Sequence, residues 1–104
     1  MSALSRIQAW YQRQCDGTWE HSLGVLIEST DNPGWWIKIN LDRTKLRGVP
    51  FAEIRENADD ERFAQGSRWF NCRVEDYTWH GAGDETQLER ILEVFLEWAE
   101  KHDS

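Results

Sequence analysis

The sequence has few cysteines and no long hydrophobic run, and each deficit excludes a class of protein. Its two cysteines, Cys15 and Cys72, are too few for the disulfide framework of a small secreted domain. No run of about 18 apolar residues could span a membrane, and the N-terminus lacks the basic and then apolar pattern of a secretory signal. We therefore expect a soluble, cytoplasmic protein without membrane contact and with reduced thiols.

Basic residues are also scarce. The chain has 12 Lys and Arg against 19 Asp and Glu, a net charge of −7, and residues 69–104 carry three basic and nine acidic groups. Proteins that bind nucleic acids or anionic membranes present a basic surface, so this balance argues against both partners. A basic protein partner fits the acidic C-terminal part, and the alternative is that excess acid only keeps the domain soluble.

Aromatic residues, in contrast, are abundant, with seven Trp, four Phe and two Tyr among 104 residues. Each aromatic side chain can bury roughly 150–250 Å², so a chain of this length can form a core without metal ions or disulfides. The sequence contains no repeat, linker or low-complexity tract. We therefore predict one domain over residues 1–104 that needs no cofactor.

The N-terminal half is predicted to form a helix followed by a hairpin. Leu4, Ile7 and Tyr11 recur at helical spacing, with Ser2 as a cap and Asp16-Gly17 as a stop. Alternating apolar and polar residues predict strands over residues 19–30 and 35–42. The turn between them has proline, which presets the second turn position, and glycine, which accepts the positive φ of the third. This turn consists of Asp31, Asn32, Pro33 and Gly34.

The C-terminal half is predicted to contain two more strands and a long helix. The strands cover residues 51–55 and 69–79, with an irregular segment around Phe63 between them and Gly81-Ala82-Gly83 as the end of the second. Asp84 and Gln87 resemble a capping box before the helix. The buried stripe of this helix is predicted to comprise Leu88, Ile91, Leu92, Phe95, Trp98 and Ala99.

These elements predict an α+β fold, in which an antiparallel sheet of three to four strands carries the N-terminal and C-terminal helices on one face. Alternation within residues 69–79 places Phe70, Cys72 and Val74 on the core side of the sheet. The aromatic residues predicted on the opposite, outer face are Trp36, Trp69, Tyr77 and Trp79.

Two surfaces are candidates for partner binding. Glu85, Glu89, Glu93 and Glu97 lie four residues apart, so they stack on one flank of the final helix, and each like-charge pair costs roughly 0.2–0.5 kcal/mol. Glu97 and Glu100 also lie at the unfavourable end of the helix dipole. Arg90 and Lys101 offset these costs in part. The flank is either a solvated surface or an acidic ridge that meets a basic partner.

The second candidate surface is the outer face of the sheet, where the four aromatic residues lie among charged ones. Such a mixture is typical of protein interfaces, but cross-strand aromatic pairs also stabilise sheets. A small-ligand-binding module is the alternative function of this face, because aromatic rings offer a platform on which sugars or nucleotides stack.

Catalytic and metal-binding patterns are weak in this sequence. Glu20, His21, Cys72 and His80 are the plausible reactive residues, and their spacing matches no nucleophile elbow, cysteine protease or metalloprotease motif. With Cys15, the cysteines and histidines also lack the close pairs of structural zinc sites. Gly81-Ala82-Gly83 is not followed by the Lys-Ser/Thr of a phosphate loop. We therefore predict that the protein is not an enzyme and has no metal site.

Several motifs resemble those of the immunity protein 53 family of bacterial polymorphic toxin systems, and the resemblance extends over nearly the whole chain. These motifs are Gln8-Ala9-Trp10-Tyr11, Gln14-Cys15-Asp16-Gly17-Thr18-Trp19-Glu20-His21, Gly24, Asp31-Asn32-Pro33-Gly34-Trp35 and Leu41-Asp42-x-Thr44. The sequence departs from the family pattern at Leu23, where an aromatic residue is expected, and at Trp36, which directly follows Trp35. The resemblance implies a non-enzymatic antidote that binds a cognate toxin domain and blocks it.

Many toxins of such systems act on nucleic acids, so the resemblance implies a partner with a basic active-site cleft, for example a nuclease. We expect acidic residues to steer association and aromatic residues to anchor it. The expected steering charges are Glu89, Glu93, Glu97 and Glu100, and the expected anchors are Trp36, Tyr77 and Trp79. The motif residues are expected to maintain the fold, namely Trp19, Glu20, Asp31, Asn32, Pro33, Gly34 and Trp35. Both a monomer and a weak homodimer are compatible with the sequence.

Overall fold

The structure is a computed structural model and describes residues 2–31, 33–56 and 69–102. Asn32 and the segment around Phe63 lie outside the described residues. The helices are α1 (Ala3–Gln14), α2 (Trp19–Ser22) and α3 (Leu88–His102), and the strands are β1 (Val25–Thr30), β2 (Gly34–Asn40), β3 (Ile54–Glu56), β4 (Phe70–Glu75) and β5 (Thr78–Asp84).

The described strands form one antiparallel sheet in the order β1-β2-β5-β4-β3. The predicted α+β fold is confirmed, but the sheet has five strands in place of three or four. The additional strand arises because residues 69–79 do not continue as one strand. They turn at Asp76 and Tyr77, and β5 runs back along β4, so that Glu75 pairs with Thr78 and Val74 with Trp79.

This turn decides which face of the sheet Trp79 occupies. Residues that pair directly across an antiparallel ladder point to the same face, so Trp79 shares the core side with Val74. Its side chain is fully buried. The prediction that Trp79 lies on the outer face is therefore wrong, because the alternation of side chains between the two faces does not continue through the two-residue turn at Asp76 and Tyr77. Gly81-Ala82-Gly83, which was predicted to end the strand, instead lies within β5, which continues to Asp84.

The β1–β2 hairpin is confirmed, with Thr30 opposite Gly34. Gly34, however, does not have the predicted positive φ. It begins β2, and a Cβ atom at this position would lie 2.5 Å from the carbonyl oxygen of Gly83 on β5. The absence of a side chain thus allows β2 and β5 to approach closely at this end of the sheet.

Helix α1 has the predicted cap, since the Ser2 hydroxyl accepts a hydrogen bond from the Ser5 amide at 3.2 Å. Its buried face differs from the prediction. Ala3, Ile7 and Trp10 are buried, whereas Leu4 is 67% exposed. The Trp10 ring packs edge-on against Phe95 of α3, with centroids 5.0 Å apart, and the burial of this larger ring orients the helix.

The strand predicted over residues 19–30 begins only at Val25, because Trp19–Ser22 form the helical turn α2. The Asp16 carboxylate accepts hydrogen bonds from the amides of Thr18 and Trp19, both at 2.9 Å, and this closes the turn that leads into α2. The strand predicted over residues 51–55 is present as the shorter β3.

The core lies between the sheet and the two long helices, as predicted. Phe95 of α3 packs against Trp79 of β5 with ring centroids 5.1 Å apart, and α1 lies beside α3. Leu41 and Leu46, in the segment after β2, are also fully buried. The predicted stripe of α3 is confirmed: Ile91, Leu92, Phe95, Trp98 and Ala99 are buried, Leu88 is partly buried, and Leu96 is buried in addition.

Candidate functional site

The acidic ridge, defined as Glu89, Glu93, Glu97 and Glu100, lies on the solvent side of α3. All four residues are exposed. Glu85 does not belong to it, because that residue lies in the turn before the helix. Among the described residues, Glu89, Glu93 and Glu97 form no salt bridge. Their charges therefore remain available to a partner on this surface.

Glu100 differs from the other ridge residues because it forms an ion pair. Its carboxylate accepts hydrogen bonds from Nη2 and Nε of Arg6 on α1, at 2.7 and 3.0 Å. The Arg6 hydrogen bond lowers the pKa of Glu100, and Glu100 in turn raises the pKa of Arg6. Glu93 and Glu97 also raise the pKa of Arg6, so the Arg6 guanidinium interacts electrostatically with three of the four ridge residues.

Arg90 does not offset Glu93 as the helical spacing predicts. Its guanidinium donates to Glu56 on β3 at 2.6 Å and lies over the Phe70 ring, 4.2 Å from the centroid. Arg90 therefore connects α3 to the edge of the sheet, and the like-charge cost within the ridge stays larger than the sequence indicates.

The outer face of the sheet has one exposed tryptophan. Trp36 is 36% exposed, its ring stacks near His80 with centroids 6.4 Å apart, and the Lys38 ammonium lies 5.2 Å from the Trp36 centroid. Trp69 is only 5% exposed, with its ring near Gly34. Since Trp79 is in the core, the predicted Trp-rich face is reduced to Trp36. Burial is the main cause that lowers the pKa of His80.

The ridge and Trp36 lie on opposite sides of the molecule. Helix α3 packs on the core face of the sheet through Phe95 and Trp79, whereas Trp36 projects from the other face. A partner with a flat surface cannot contact both. The structure therefore separates two groups of residues that the sequence analysis assigned to one interface.

Tyr77 is exposed at the tip of the β4–β5 hairpin. Asp76 and Tyr77 have φ angles of 53° and 57°, the left-handed pair of a type I′ turn, in which Asn and Gly are preferred. The Tyr77 ring is held by the Arg47 guanidinium, 4.2 Å from the ring centroid, and borders a surface cavity of about 450 Å³ with Val49, Pro50 and Phe51. A bulky residue is thus presented to solvent from a strained backbone position.

The motif residues Trp19 and Glu20 make contacts within the fold. Trp19 is buried, and its indole N–H donates to the Asp42 carbonyl at 3.0 Å. The Glu20 carboxylate accepts hydrogen bonds from the amides of Asp16 and Gly17 at 3.0 and 2.9 Å, and backbone hydrogen bonds lower its pKa. These contacts are of the kind that the predicted structural role requires.

Trp35 connects two distant segments in a similar way. Its indole N–H donates to the Glu85 carbonyl at 3.1 Å, which joins β2 to the turn before α3. Asp31 and Pro33, at the hairpin tip, are exposed. Trp19 and Trp35 therefore use their indole N–H groups on backbone carbonyls, which sequence spacing alone does not reveal, whereas the indole N–H of the motif residue Trp10 has no hydrogen-bond partner among the described residues.

Comparison with known proteins identifies the family of this chain. The immunity protein 53 family model matches residues 4–100, a range that contains α2, all five described strands, and all but the first residue of α1 and the last two residues of α3. The chain belongs to the immunity protein 53 family. It matches no curated protein and no solved structure. The name of the family implies an immunity protein that acts against a toxin.

In this member of the immunity protein 53 family, the candidate catalytic residues are not brought together. Cys72 is fully buried on the core side, and burial raises the pKa of its thiol to about 12. His80 lies on the opposite side of the sheet, His21 is exposed on α2, and Glu20 is engaged by backbone amides.

Two further properties concern only the part of the chain that the structure describes. Within it, no group of three or more His, Cys, Asp and Glu residues is arranged to hold a metal ion. None of the helices in the same ranges combines the length and apolar character that crossing a bilayer requires.

Proposed function

We propose that this protein is an immunity protein that binds a cognate toxin domain and covers its active site with the acidic ridge. The observation that carries the proposal is the family match over residues 4–100, because it supplies a toxin as the class of partner. The partner we propose is a nuclease-like domain, whose substrate-binding cleft must be basic to hold a phosphate backbone.

The ridge has the chemistry to fill such a cleft. Glu89, Glu93 and Glu97 are exposed and form no ion pair with a described residue. Lys or Arg residues of the partner would compensate the cost of removing these carboxylates from water. The 15 residues of α3 extend for about 22 Å at 1.5 Å per residue. A helix of this length is long enough to form a large part of one side of an interface of the usual size, about 800 Å² per partner.

Tyr77 supplies the aromatic anchor of this proposal. Interface energy concentrates in a few Trp, Tyr and Arg residues, and Tyr77 and Arg47 form such a pair on one exposed tip. The cavity beside Tyr77 includes Phe51, whose ring contacts Trp98 of α3 with centroids 5.1 Å apart. The Tyr77 cavity therefore lies next to the C-terminal half of α3, and we propose that one partner covers both. Trp36 and Trp79 do not belong to this surface.

The test uses the toxin domain encoded next to the gene for this chain, purified as an inactive variant. We expect nanomolar affinity for the wild-type protein and a slower association rate for the Glu89→Gln/Glu93→Gln double variant. The rate of the double variant should also depend less on salt. A control, Glu53→Gln/Glu85→Gln, removes the same charge from exposed residues that belong neither to the ridge nor to the Tyr77 hairpin, and should bind like the wild type. Equal rates and salt dependence for both double variants would show that the ridge does not face the toxin.

A second function is favoured by one observation, the array of Trp36, His80 and Lys38 on the outer face. An aromatic ring beside a cation can stack a nucleotide or sugar. The test is a fluorescence titration with nucleotides and sugars, compared between the wild type and Trp36→Phe because the chain has seven tryptophans. Quenching that is lost in Trp36→Phe would support a ligand-binding module.

A further inference from the structure

Strand β1 is an edge strand without the usual protection. Of the strands that the structure describes, only β2 pairs with it. Natural edge strands commonly carry lysine, proline or a bulge, which discourage pairing with another chain. The six residues of β1 include neither Lys nor Pro, and their one charged residue, Glu28, lies opposite Trp36 on the outer face. The edge is therefore open to a further strand.

The backbone of β1 presents hydrogen-bonding groups at this edge. The Asn40 amide donates to the Gly24 carbonyl at 3.0 Å, so these two residues form a hydrogen-bonded pair. Hydrogen-bonded and non-hydrogen-bonded pairs alternate along an antiparallel ladder. Leu26 and Glu28 therefore bond to β2, whereas the N–H and C=O groups of Val25, Ile27 and Ser29 point away from it.

An apolar groove lies directly beside this edge. Val25 and Ile27 pair with the fully buried Ile39 and Ile37 and so face the core side, yet Ile27 is 38% exposed. The helical layer stops short of β1 and leaves a groove of about 380 Å³. Its apolar lining consists of Ile7, Tyr11, Leu23, Val25 and Ile27.

Charge decides which occupant fits this surface. Between Arg13 and Lys38 the sequence contains four acidic residues and no Lys or Arg. Backbone hydrogen bonds lower the pKa values of two of them, Asp16 and Glu20. Asp16 also interacts with Arg43, whereas Glu20 lies at the groove. The other two are Glu28 on β1 and Asp31 at the hairpin tip. This edge attracts a cationic chain and repels a second copy of itself.

We propose that β1 accepts an extended, basic segment of the toxin as a sixth strand of the sheet. This inference rests on the proposed function and names a second contact of the same partner. Side chains of an added strand alternate between the two faces. An apolar side chain of the segment enters the groove at Ile27, and a basic side chain on the other face lies near Glu28.

Hydrogen exchange tests this contact directly, with the inactive toxin domain encoded beside the gene as the probe. The outward amides of Val25, Ile27 and Ser29 should exchange rapidly in the free protein and at least about tenfold more slowly in the complex. The amides of Leu26 and Glu28, already bonded to β2, serve as internal controls with a smaller change. A complex that forms without added protection at the three outward amides overturns the proposal.

Two pairs of variants provide an independent test. Ser29→Pro removes an outward donor while Ser29→Thr retains it, and Ile27→Lys places a cation in the groove while Leu26→Lys places it on the outer face of the same strand. We expect at least about tenfold weaker toxin binding for Ser29→Pro and Ile27→Lys than for their controls, with thermal unfolding confirming that all four fold.

The outcomes separate the two proposals. Wild-type affinity in Ser29→Pro and Ile27→Lys overturns strand addition and leaves toxin binding by the ridge intact, whereas a wild-type protein that does not bind the toxin overturns both. Sedimentation of the free protein tests whether a second copy of this chain occupies the edge instead. A dimer that Ser29→Pro dissociates, with toxin affinity unchanged, would assign the edge to a second copy and overturn the proposal.

Discussion

Arg6 on α1 and Glu100 on α3 form a two-point ion pair, although 94 positions separate them in the sequence. The pair joins the two helices at the end of the acidic ridge. It also divides the ridge, because Glu100 forms an ion pair within the protein while Glu89, Glu93 and Glu97 form none with a described residue. We therefore propose that Glu89, Glu93 and Glu97 contribute most of the electrostatic steering of the toxin.

The first prediction concerns the pH dependence of this ion pair. Because Arg6 lowers the pKa of Glu100 in the folded protein, the stabilisation is present above the ordinary glutamate pKa of about 4.3 and is lost as the pH falls through the lowered value. Arg6→Gln should therefore lower the unfolding midpoint slightly at pH 7, and the difference from the wild type should vanish near pH 2–3. Urea titrations at several pH values measure this. A difference that persists at low pH would mean that Arg6 acts through packing alone.

The second prediction concerns Trp79, which is fully buried between Phe95 and Phe51. Trp79→Ala should lose about 3–5 kcal/mol of unfolding free energy, since it opens a large cavity. The Trp79 indole N–H has no hydrogen-bond partner among the described residues, so Trp79→Phe removes an unpaired donor along with part of the ring. It should cost less than about 1.5 kcal/mol.

Denaturant unfolding of both Trp79 variants provides the measurement, and Trp36→Phe is the control. Trp36 is partly exposed on the outer face, so its replacement should change stability by less than about 0.5 kcal/mol. Equal losses for Trp36→Phe and Trp79→Ala would contradict the assignment of Trp79 to the core and Trp36 to the surface.

Sequence patterns predicted the elements whose periodicity continues without interruption. The stripe of α3 and the alternation of β2 are long enough that burial follows the period directly. Prediction failed at Trp79 because Asp76 and Tyr77 lack the Asn-Gly or Asp-Gly signal of a two-residue hairpin, and a missed turn of this kind changes the face of every later residue.

The candidate surfaces were harder to predict than the elements. Helical spacing identified the flank of Glu89, Glu93 and Glu97, but not the Arg6–Glu100 or Arg90–Glu56 ion pairs, which depend on how α3 packs against other elements. The exposure of Ile27 at the edge of the sheet could not be predicted either, because the apolar residues of a strand do not indicate how far the helices cover it.

The third prediction concerns the two thiols. Cys15 is exposed after α1, whereas Cys72 is fully buried and its pKa is raised to about 12. A thiol reagent at pH 8 should therefore modify one cysteine per chain quickly and the second only after denaturation, because the thiolate is the reactive form. Cys15→Ser should abolish the fast phase. Fast reaction of Cys72 in the folded Cys15→Ser variant would contradict its burial in the core.

The fourth prediction separates stability from binding at Tyr77. Tyr77→Gly relieves a left-handed backbone that costs about 1–2 kcal/mol, but it loses the contact with Arg47, worth about 0.5–1 kcal/mol, and adds unfolded-state entropy of about 0.4–1 kcal/mol. These changes nearly cancel, so unfolding free energy should stay within about 1 kcal/mol of the wild type. If Tyr77 anchors the toxin, affinity should fall at least about tenfold in the same variant, and Trp36→Phe, on the opposite face, should bind normally. Unchanged affinity in a stable Tyr77→Gly protein would remove Tyr77 from the interface.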